Sequence, residues 1–337
     1  MDKKKTILVT GGAGYIGSHA VKLLLEKSYQ VVVFDNLYRG YQEVIDVLGK
    51  KFSGLSFIVG DLKNLTEVNH LFKKNQIDGV LHFAALCLVN ESMEKPGQYF
   101  ENNVLGTLNL LRSMEKYQVK KLVFSSTCAV YGEGQYLPID EKHPTNPTNP
   151  YGESKLMAEK EIFWFDQLFG IKSVIFRYFN VAGADSAGLI GDSKKPSQLL
   201  VQNAVRGALG IEPFKLTCPK VKTPDGTPVR DYVNVEDLAR AHVLALDYLD
   251  KNKQSQIFNL GTGQGNSVLE IVNKVQEITG VSFSIEKGVA RKGEYAKVYA
   301  DISQVQKVLN WRPEKSLKET INSLVSWYKK HPHGWSH

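Results

Sequence analysis

At 337 residues and 42 % hydrophobic content the chain is long enough to bury a large core, which excludes disordered and fibrous classes. Its net charge of +7, from 42 basic and 35 acidic residues, is scattered rather than gathered into one stripe, so no nucleic-acid partner is expected. Cys87, Cys128 and Cys218 are odd in number, far apart and without C-x-x-C spacing, which points away from a disulfide framework and from a zinc site.

The opening "MDKKKTILVTGG" runs straight into a glycine loop and leaves no room for a signal peptide. The longest apolar run, "VLHFAALCLV", is half of what a membrane span needs. A cytoplasmic protein with no membrane partner is expected. Short β-branched runs then alternate with helical patterns: "TILVTG", a helix from Ser18, "VVVFDN", "LSFIVGDL", a helix near 66 to 74, and "DGVLHFAA". A helix over 102 to 117, "KLVFSST", a helix over 151 to 168 and "KSVIFRYFN" complete the series. This alternation predicts an α/β fold, a doubly wound parallel (Rossmann) sheet with helices on both faces.

After Asn180 come Gly-, Pro- and Lys-rich loops around helical stretches, then a helix opened by Val235-Glu236-Asp237 and one more strand, "IFNLG". We expect residues 1–180 to form the nucleotide-binding domain, with returning segments near 230–262. Residues 181–337 would form a smaller, interleaved α/β substrate lobe. The histidines of the tail "HPHGWSH" lack partner ligands nearby in sequence, so a structural or frayed terminus is expected there and no metal site.

Gly11, Gly14 and Gly17 stand between the first strand and a helix, the spacing that lets backbone turn tightly, approach a pyrophosphate and present helix N-terminal amides to it. Asp35 ends the second strand, 18 residues after Gly17, where a carboxylate accepts hydrogen bonds from a ribose diol and repels a 2′-phosphate; the cofactor expected is NAD. "GDL" at 60–62 and "HFAA" at 82–85 follow the third and fourth strands and are assigned to adenine and ribose contacts. Tyr151 and Lys155, at i and i+4, share a helix face. A nearby ammonium and a positive nicotinamide favour phenolate, which makes Tyr151 a base. Thr127, at the end of "VFSST", could hydrogen-bond the same substrate hydroxyl.

With "TGGAGYIGSH", "NNVLGTLNLL", "SSTCAVYG", "NPYGESK", "RYFNVAGA", "DGTPVRDYVNVEDLARAH", "NLGTG" and "LNWRP" in order, the chain resembles the extended short-chain dehydrogenase/reductase family, in its UDP-hexose 4-epimerase branch. The resemblance implies Thr127, Tyr151 and Lys155 as the catalytic group. It puts Tyr15 and Ile16 against the pyrophosphate, and Asp35, Asn36, Leu37, Tyr38, Arg39 and Gly40 around the adenosine ribose. Asp61, Leu62, Phe83, Ala84, Ala85, Leu86, Cys87, Asn102 and Tyr178 complete its NAD site. Asn180, Arg230 and Arg291 would hold a UDP diphosphate, and Lys215, Leu216 and Thr217 would flank the uracil.

The implied reaction is reversible: Tyr151 removes the sugar 4-hydroxyl proton while C4 gives hydride to NAD, the 4-keto sugar turns over, and hydride returns to the opposite face. A homodimer is also implied. This chain departs from the family in carrying Cys87 where many members have lysine, a thiol expected to pack. Gln198, next to Leu199, replaces Asn or His beside the nucleotide, and Glu294 replaces Asp. Val298 stands at the position that limits the sugar pocket; as a small residue it admits UDP-GlcNAc and UDP-GalNAc alongside UDP-glucose and UDP-galactose. Three alternatives stand beside this reading: a UDP-xylose/UDP-arabinose 4-epimerase, a 4,6-dehydratase, and a non-enzymatic NAD sensor. The dehydratase is disfavoured because Cys128-Ala129 occupies the place of an Asp-Glu pair, and the sensor because the Thr, Tyr and Lys are all present.

Overall fold

The computed structural model describes residues 4–193, 197–252, 254–289 and 295–335. The chain first lays down β1 (Thr6–Thr10), β2 (Gln30–Asp35), β3 (Leu55–Val59), β4 (Gly79–His82), β5 (Lys121–Thr127) and β6 (Lys172–Tyr178). It then builds β7 (Asn180–Ala182), β8 (Phe214–Leu216), β9 (Val229–Arg230) and β10 (Tyr232–Asn234) before β11 (Gln256–Leu260) returns to the main sheet. That sheet has the order β11-β6-β5-β4-β1-β2-β3, and every pairing in it is parallel.

Strand side chains alternate between two faces, and both faces are buried. Leu8, Val32, Val80, Leu122 and Ile175 point to one side, where they pack with the helices Leu65–Lys74, Gly106–Lys116 and Pro150–Phe169. Val9, Val33, Leu81, Val123 and Val174 point to the other, against the helices Tyr15–Glu26 and Val235–Asn252. This second cluster continues without a break into the C-terminal part of the chain, reaching Trp311, Trp327 and Trp335. The doubly wound parallel fold expected from the alternation is the fold observed.

Two helix starts differ from the sequence reading. The first helix begins at Tyr15, not Ser18, because Gly14 is its extended N-cap and Tyr15 and Ile16 are already helical. The stretch expected as one helix from 102 is a π-helical turn, Phe100–Leu105, followed by the helix Gly106–Lys116. Such a turn re-aims side chains at a site, and here Asn103 is drawn to the backbone of Leu86.

Outside the main sheet the chain adds β12 (Asn266–Ser267), β13 (Ile285–Lys287) and β14 (Lys297–Val298). They form short sheets of order β12-β9-β14 and β13-β8, with β10-β7 as a third pair. The tail is structural: His331 stacks on Trp327, and the Trp335 amide donates to Ser193 Oγ over 2.9 Å. No described helix is long and apolar enough to cross a membrane.

Candidate active site

β1 lies between β4 and β2, so the chain leaves β1 and its neighbours in opposite directions and opens a crevice at their carboxyl ends. A cavity of about 350 Å³ fills that crevice. A second, of about 530 Å³, is lined mostly from within residues 197–232 and shares Asn180, Val181 and Leu199 with the first.

The crevice floor is the glycine turn. Gly11 has φ of 72°, and a Cβ there would come within 2.5 Å of the Ala84 amide nitrogen; only glycine fits. A Cβ on Gly14 would meet nothing but the Gly11 carbonyl at 3.3 Å, so its other side is open to the cleft. The helix Tyr15–Glu26 has neither a side-chain cap nor an acidic residue in its first turn. Its free amides therefore offer a partial positive charge to an anion. Beside them the Asp35 carboxylate accepts from the amides of Leu37 (2.9 Å) and Ala13 (3.1 Å); burial nevertheless raises its pKa.

Among the residues expected around the cofactor, Gly11, Gly14, Tyr15, Ile16, Gly17, Asp35, Asn36, Tyr38, Arg39, Gly40, Asp61 and Leu62 line this crevice. So do Phe83, Ala84, Ala85, Leu86, Cys87, Asn102, Thr127, Tyr151, Lys155 and Tyr178. Leu37 does not: its φ of 59° turns the side chain back onto the core. Cys87 is likewise corrected. It belongs to neither core cluster, and its thiol faces the cleft near Tyr151 and Lys155.

Several contacts bring Thr127, Tyr151 and Lys155 together. Asn149 Oδ1 caps the Pro150–Phe169 helix by accepting from the Gly152 amide over 2.9 Å, and Pro150 takes the first helical position. A Cβ at Gly152 would lie 2.6 Å from the Ala129 carbonyl oxygen, so glycine lets the helix start press against the turn that follows Thr127. Asn103 braces both sides: it exchanges hydrogen bonds with Leu86 N and O and donates to Ser154 Oγ, which donates to the Tyr151 carbonyl. Below, His82 ties β4 to the neighbouring elements. Thr107 donates to the Asn103 carbonyl, so His82 Nε2–H must donate to Thr107, and Thr10 donates to Nδ1.

Burial dominates the electrostatics. It pushes the Lys155 ammonium down to about 8, with the Cys87 and Glu159 charges acting upward. It drives the Tyr151 phenol well above its usual 10, against a hydrogen bond from Thr127. Phenolate is expected from the ammonium and a positive nicotinamide together, and the protein's own groups push the phenol the other way. Desolvation costs the anion more than this hydroxyl returns.

Asn180, Gln198, Leu199, Lys215, Leu216, Thr217 and Arg230 line the second cavity. Arg230 is held by donation from Nη1 to the carbonyls of Val229 (2.8 Å) and Tyr295 (2.9 Å). Arg291 and Glu294 lie outside the described residues. Val298 is 7 % exposed within the core cluster and lines neither cavity; it pairs in register with Arg230, one strand behind the wall. Tyr232, Val268 and Phe214 also line this cavity and were not singled out in the sequence. Tyr232 had a signal, since it sits two residues beyond Arg230 in an extended stretch and shares its face. Among the described residues no group of three or more His, Cys, Asp or Glu could hold a metal ion.

Comparison with known proteins extends this picture. Residues 7–261 match the model of the NAD dependent epimerase/dehydratase family. A UDP-glucose 4-epimerase of Halalkalibacterium halodurans is 44 % identical over 332 residues, 98 % of this chain and 97 % of that one. UDP-arabinose 4-epimerase 1 of Arabidopsis thaliana is 42 % identical, covering 98 % of this chain and 80 % of its own. A crystal structure of UDP-glucose 4-epimerase from Bifidobacterium longum with NAD+ and UDP superposes with a TM-score of 0.94 at 37 % identity, over 98 % of this chain and 100 % of that one. With its glycine turn, its Thr-Tyr-Lys group and its two joined cavities, the chain belongs to the NAD dependent epimerase/dehydratase family.

Proposed function

We propose that the protein interconverts UDP-glucose and UDP-galactose by reversible NAD-dependent epimerisation at C4, an isomerase reaction through a 4-keto sugar. The observation that carries this reading is the placement of Thr127, Tyr151 and Lys155 in a cleft that opens into a second cavity floored by Asn180 and Arg230. One cavity suits a dinucleotide and the other a nucleotide sugar, and the reacting carbon would lie where they meet.

The residues present fit NAD. The uncapped helix start and the open side of Gly14 suit the pyrophosphate, and Asp35 suits the adenosine ribose diol. When bound, the dinucleotide supplies a hydride acceptor and donor and a positive ring beside Tyr151. Tyr151 takes the proton from the sugar 4-hydroxyl and returns it after the sugar has turned. Thr127 hydrogen-bonds the same oxygen, and Lys155 holds positive charge behind the phenol. Arg230 and Asn180 anchor the diphosphate, and Lys215, Leu216 and Thr217 flank the base. Binding energy from this remote handle keeps the intermediate in place while the sugar ring stays free to turn. Cys128 and Ala129, next to Thr127, offer no acid–base pair for dehydration.

Finer points of substrate, assembly and setting stand beside this proposal. Val298 lies one strand behind the cavity wall, so its small size gives no ground for UDP-GlcNAc and UDP-GalNAc, which stand only as further substrates to be tried. The UDP-arabinose 4-epimerases among the relatives favour a second reading, a UDP-pentose epimerase. A homodimer is supported by the helix Pro150–Phe169, which exposes Met157, Trp164 and Leu168 along one face, and a cytoplasmic setting by three cysteines present as thiols, not disulfides. Incubation with UDP-glucose, UDP-GlcNAc and UDP-xylose in turn, followed by product separation, tests the reading. Turnover of the hexose pairs supports it, and turnover of UDP-xylose alone would replace it with the pentose reading.

A further inference from the structure

The loops that follow β2 and β4 stand on opposite sides of β1 and its glycine turn. Two strand spacings, roughly 10 Å, separate their origins, yet a side-chain bridge joins them. Arg39, in the loop after β2, donates from Nη2 to Glu91 Oε2 over 2.6 Å. Glu91 belongs to the helix Val89–Glu94, which follows β4. Such a bridge has to pass over the carboxyl end of β1, the floor on which a pyrophosphate would lie.

Both members are largely withdrawn from water, with side-chain exposures of 23 % and 19 %. Tyr99, itself fully buried, steadies the acidic partner: its one hydroxyl proton is shared between the same Oε2, 2.9 Å away, and the Leu88 carbonyl, 2.7 Å away. The Tyr99 ring stands edge-on to Tyr151 at 6.4 Å, so the bridge and the reacting end of the cleft share one support. Arg39 and Lys155 are the cationic side chains among the described residues of the crevice wall, and Lys155 sits at the far end beside Tyr151.

We propose that the Arg39–Glu91 ion pair is a clasp closed across the dinucleotide cleft, whose opening sets the rate at which the cofactor enters and leaves. This rests on the reading that the cleft takes NAD. The pair spans the cleft between the two loops, so entry requires it to open just as exit does. Breaking it speeds both steps, and breaking it from the Glu91 side, which does not line the cleft, changes the equilibrium affinity little. An arginine that served only as a phosphate contact would behave differently, since its loss would speed release without speeding entry.

The test follows NADH fluorescence in stopped flow, with association measured directly and release measured by chasing with excess NAD. Arg39→Gln and Glu91→Gln are each expected to raise both rates roughly fivefold, the scale of a partly shielded ion pair. The double variant should be no faster than the faster single, and added salt should speed wild type more than Glu91→Gln. Thermal melts confirm that each variant is folded, and Glu91→Gln keeps an acceptor for Tyr99. Release that is faster in Arg39→Gln but unchanged or slower in Glu91→Gln would overturn the clasp, as would additive effects. Wild-type protein that binds no NADH at all would instead overturn the cofactor reading on which the clasp depends.

Discussion

The Lys155 ammonium lies 4.2 Å from the centroid of the Phe124 ring, one helical turn beyond Tyr151. The face of that ring holds the cation where water is excluded, and burial brings the lysine to about 8. A group so placed is charged at neutral pH and loses its charge over a modest alkaline range. An anionic dinucleotide binds the charged form better, so NAD affinity should be flat below about pH 8 and fall above it, by at most about tenfold per pH unit. Lys155→Arg should abolish this step, because guanidinium stays charged throughout. Titration by isothermal calorimetry across the range checks it; an unchanged alkaline step in the arginine variant would assign the titration to another group.

Tyr151 and Thr127 differ in what they are asked to do. Tyr151→Phe removes the proton acceptor and should lower kcat by about 10²–10⁴-fold. Thr127→Ser keeps the hydroxyl that hydrogen-bonds the phenol and should cost far less. Steady-state rates of both variants, each loaded with NAD, decide the matter, and equal losses would mean that the proton transfer is misassigned.

A buried pair supports the strand that ends in Thr127. Arg177 donates to both carboxylate oxygens of Glu159, over 2.5 Å to Oε2 from Nη2, and Ser126 Oγ donates to Oε1 over 2.5 Å. Side-chain exposures are 6 % and 5 %. Removing one charge strands the other, so Arg177→Leu should lower unfolding free energy by about 3–5 kcal/mol in urea. A loss well below that range would mean that water or another group relieves the orphaned carboxylate.

Three histidines make the fold sensitive to acid. Burial depresses His82 to about 3 and His19 and His242 to about 4. The unfolded chain binds these protons near 6.5 while the native state refuses them. Their contribution is therefore complete above pH 6.5 and is lost as pH falls toward 4, by as much as about 4 kcal/mol per unit if all three act together. Urea melts between those pH values should show this decline, and His82→Asn should reduce its slope. A flat profile would contradict it.

The fold was legible because β-branched runs and glycine punctuation record buried strands directly, as in "TILVTG" and "VVVFDN". In the crevice wall the glycine turn, Asp35, Asp61, Phe83 and Thr127 were legible at strand ends, and Tyr151 with Lys155 by helical spacing. Tyr15, Asn36, Arg39, Asn102 and Tyr178 came only with the family resemblance. Leu37 was not legible, because a positive φ at a non-glycine residue has no signature in the sequence. Nor was the π-helical turn at Phe100–Leu105, which depends on the distant Leu86 backbone. Tyr232 could have been found by counting two residues on from Arg230, whereas Phe214 and Val268 come to the same cavity only through tertiary packing. The raised phenol of Tyr151 likewise reflects a burial that local spacing does not reveal.

The central claim is that hydride leaves C4 of the sugar and returns to the same carbon while Tyr151 moves the hydroxyl proton. Incubating the NAD-loaded protein with UDP-glucose deuterated at C4, and isolating the UDP-galactose formed, tests it most directly. The account predicts UDP-galactose with deuterium retained at C4. Product whose C4 label has been exchanged for solvent hydrogen, or the absence of any UDP-galactose, would contradict it.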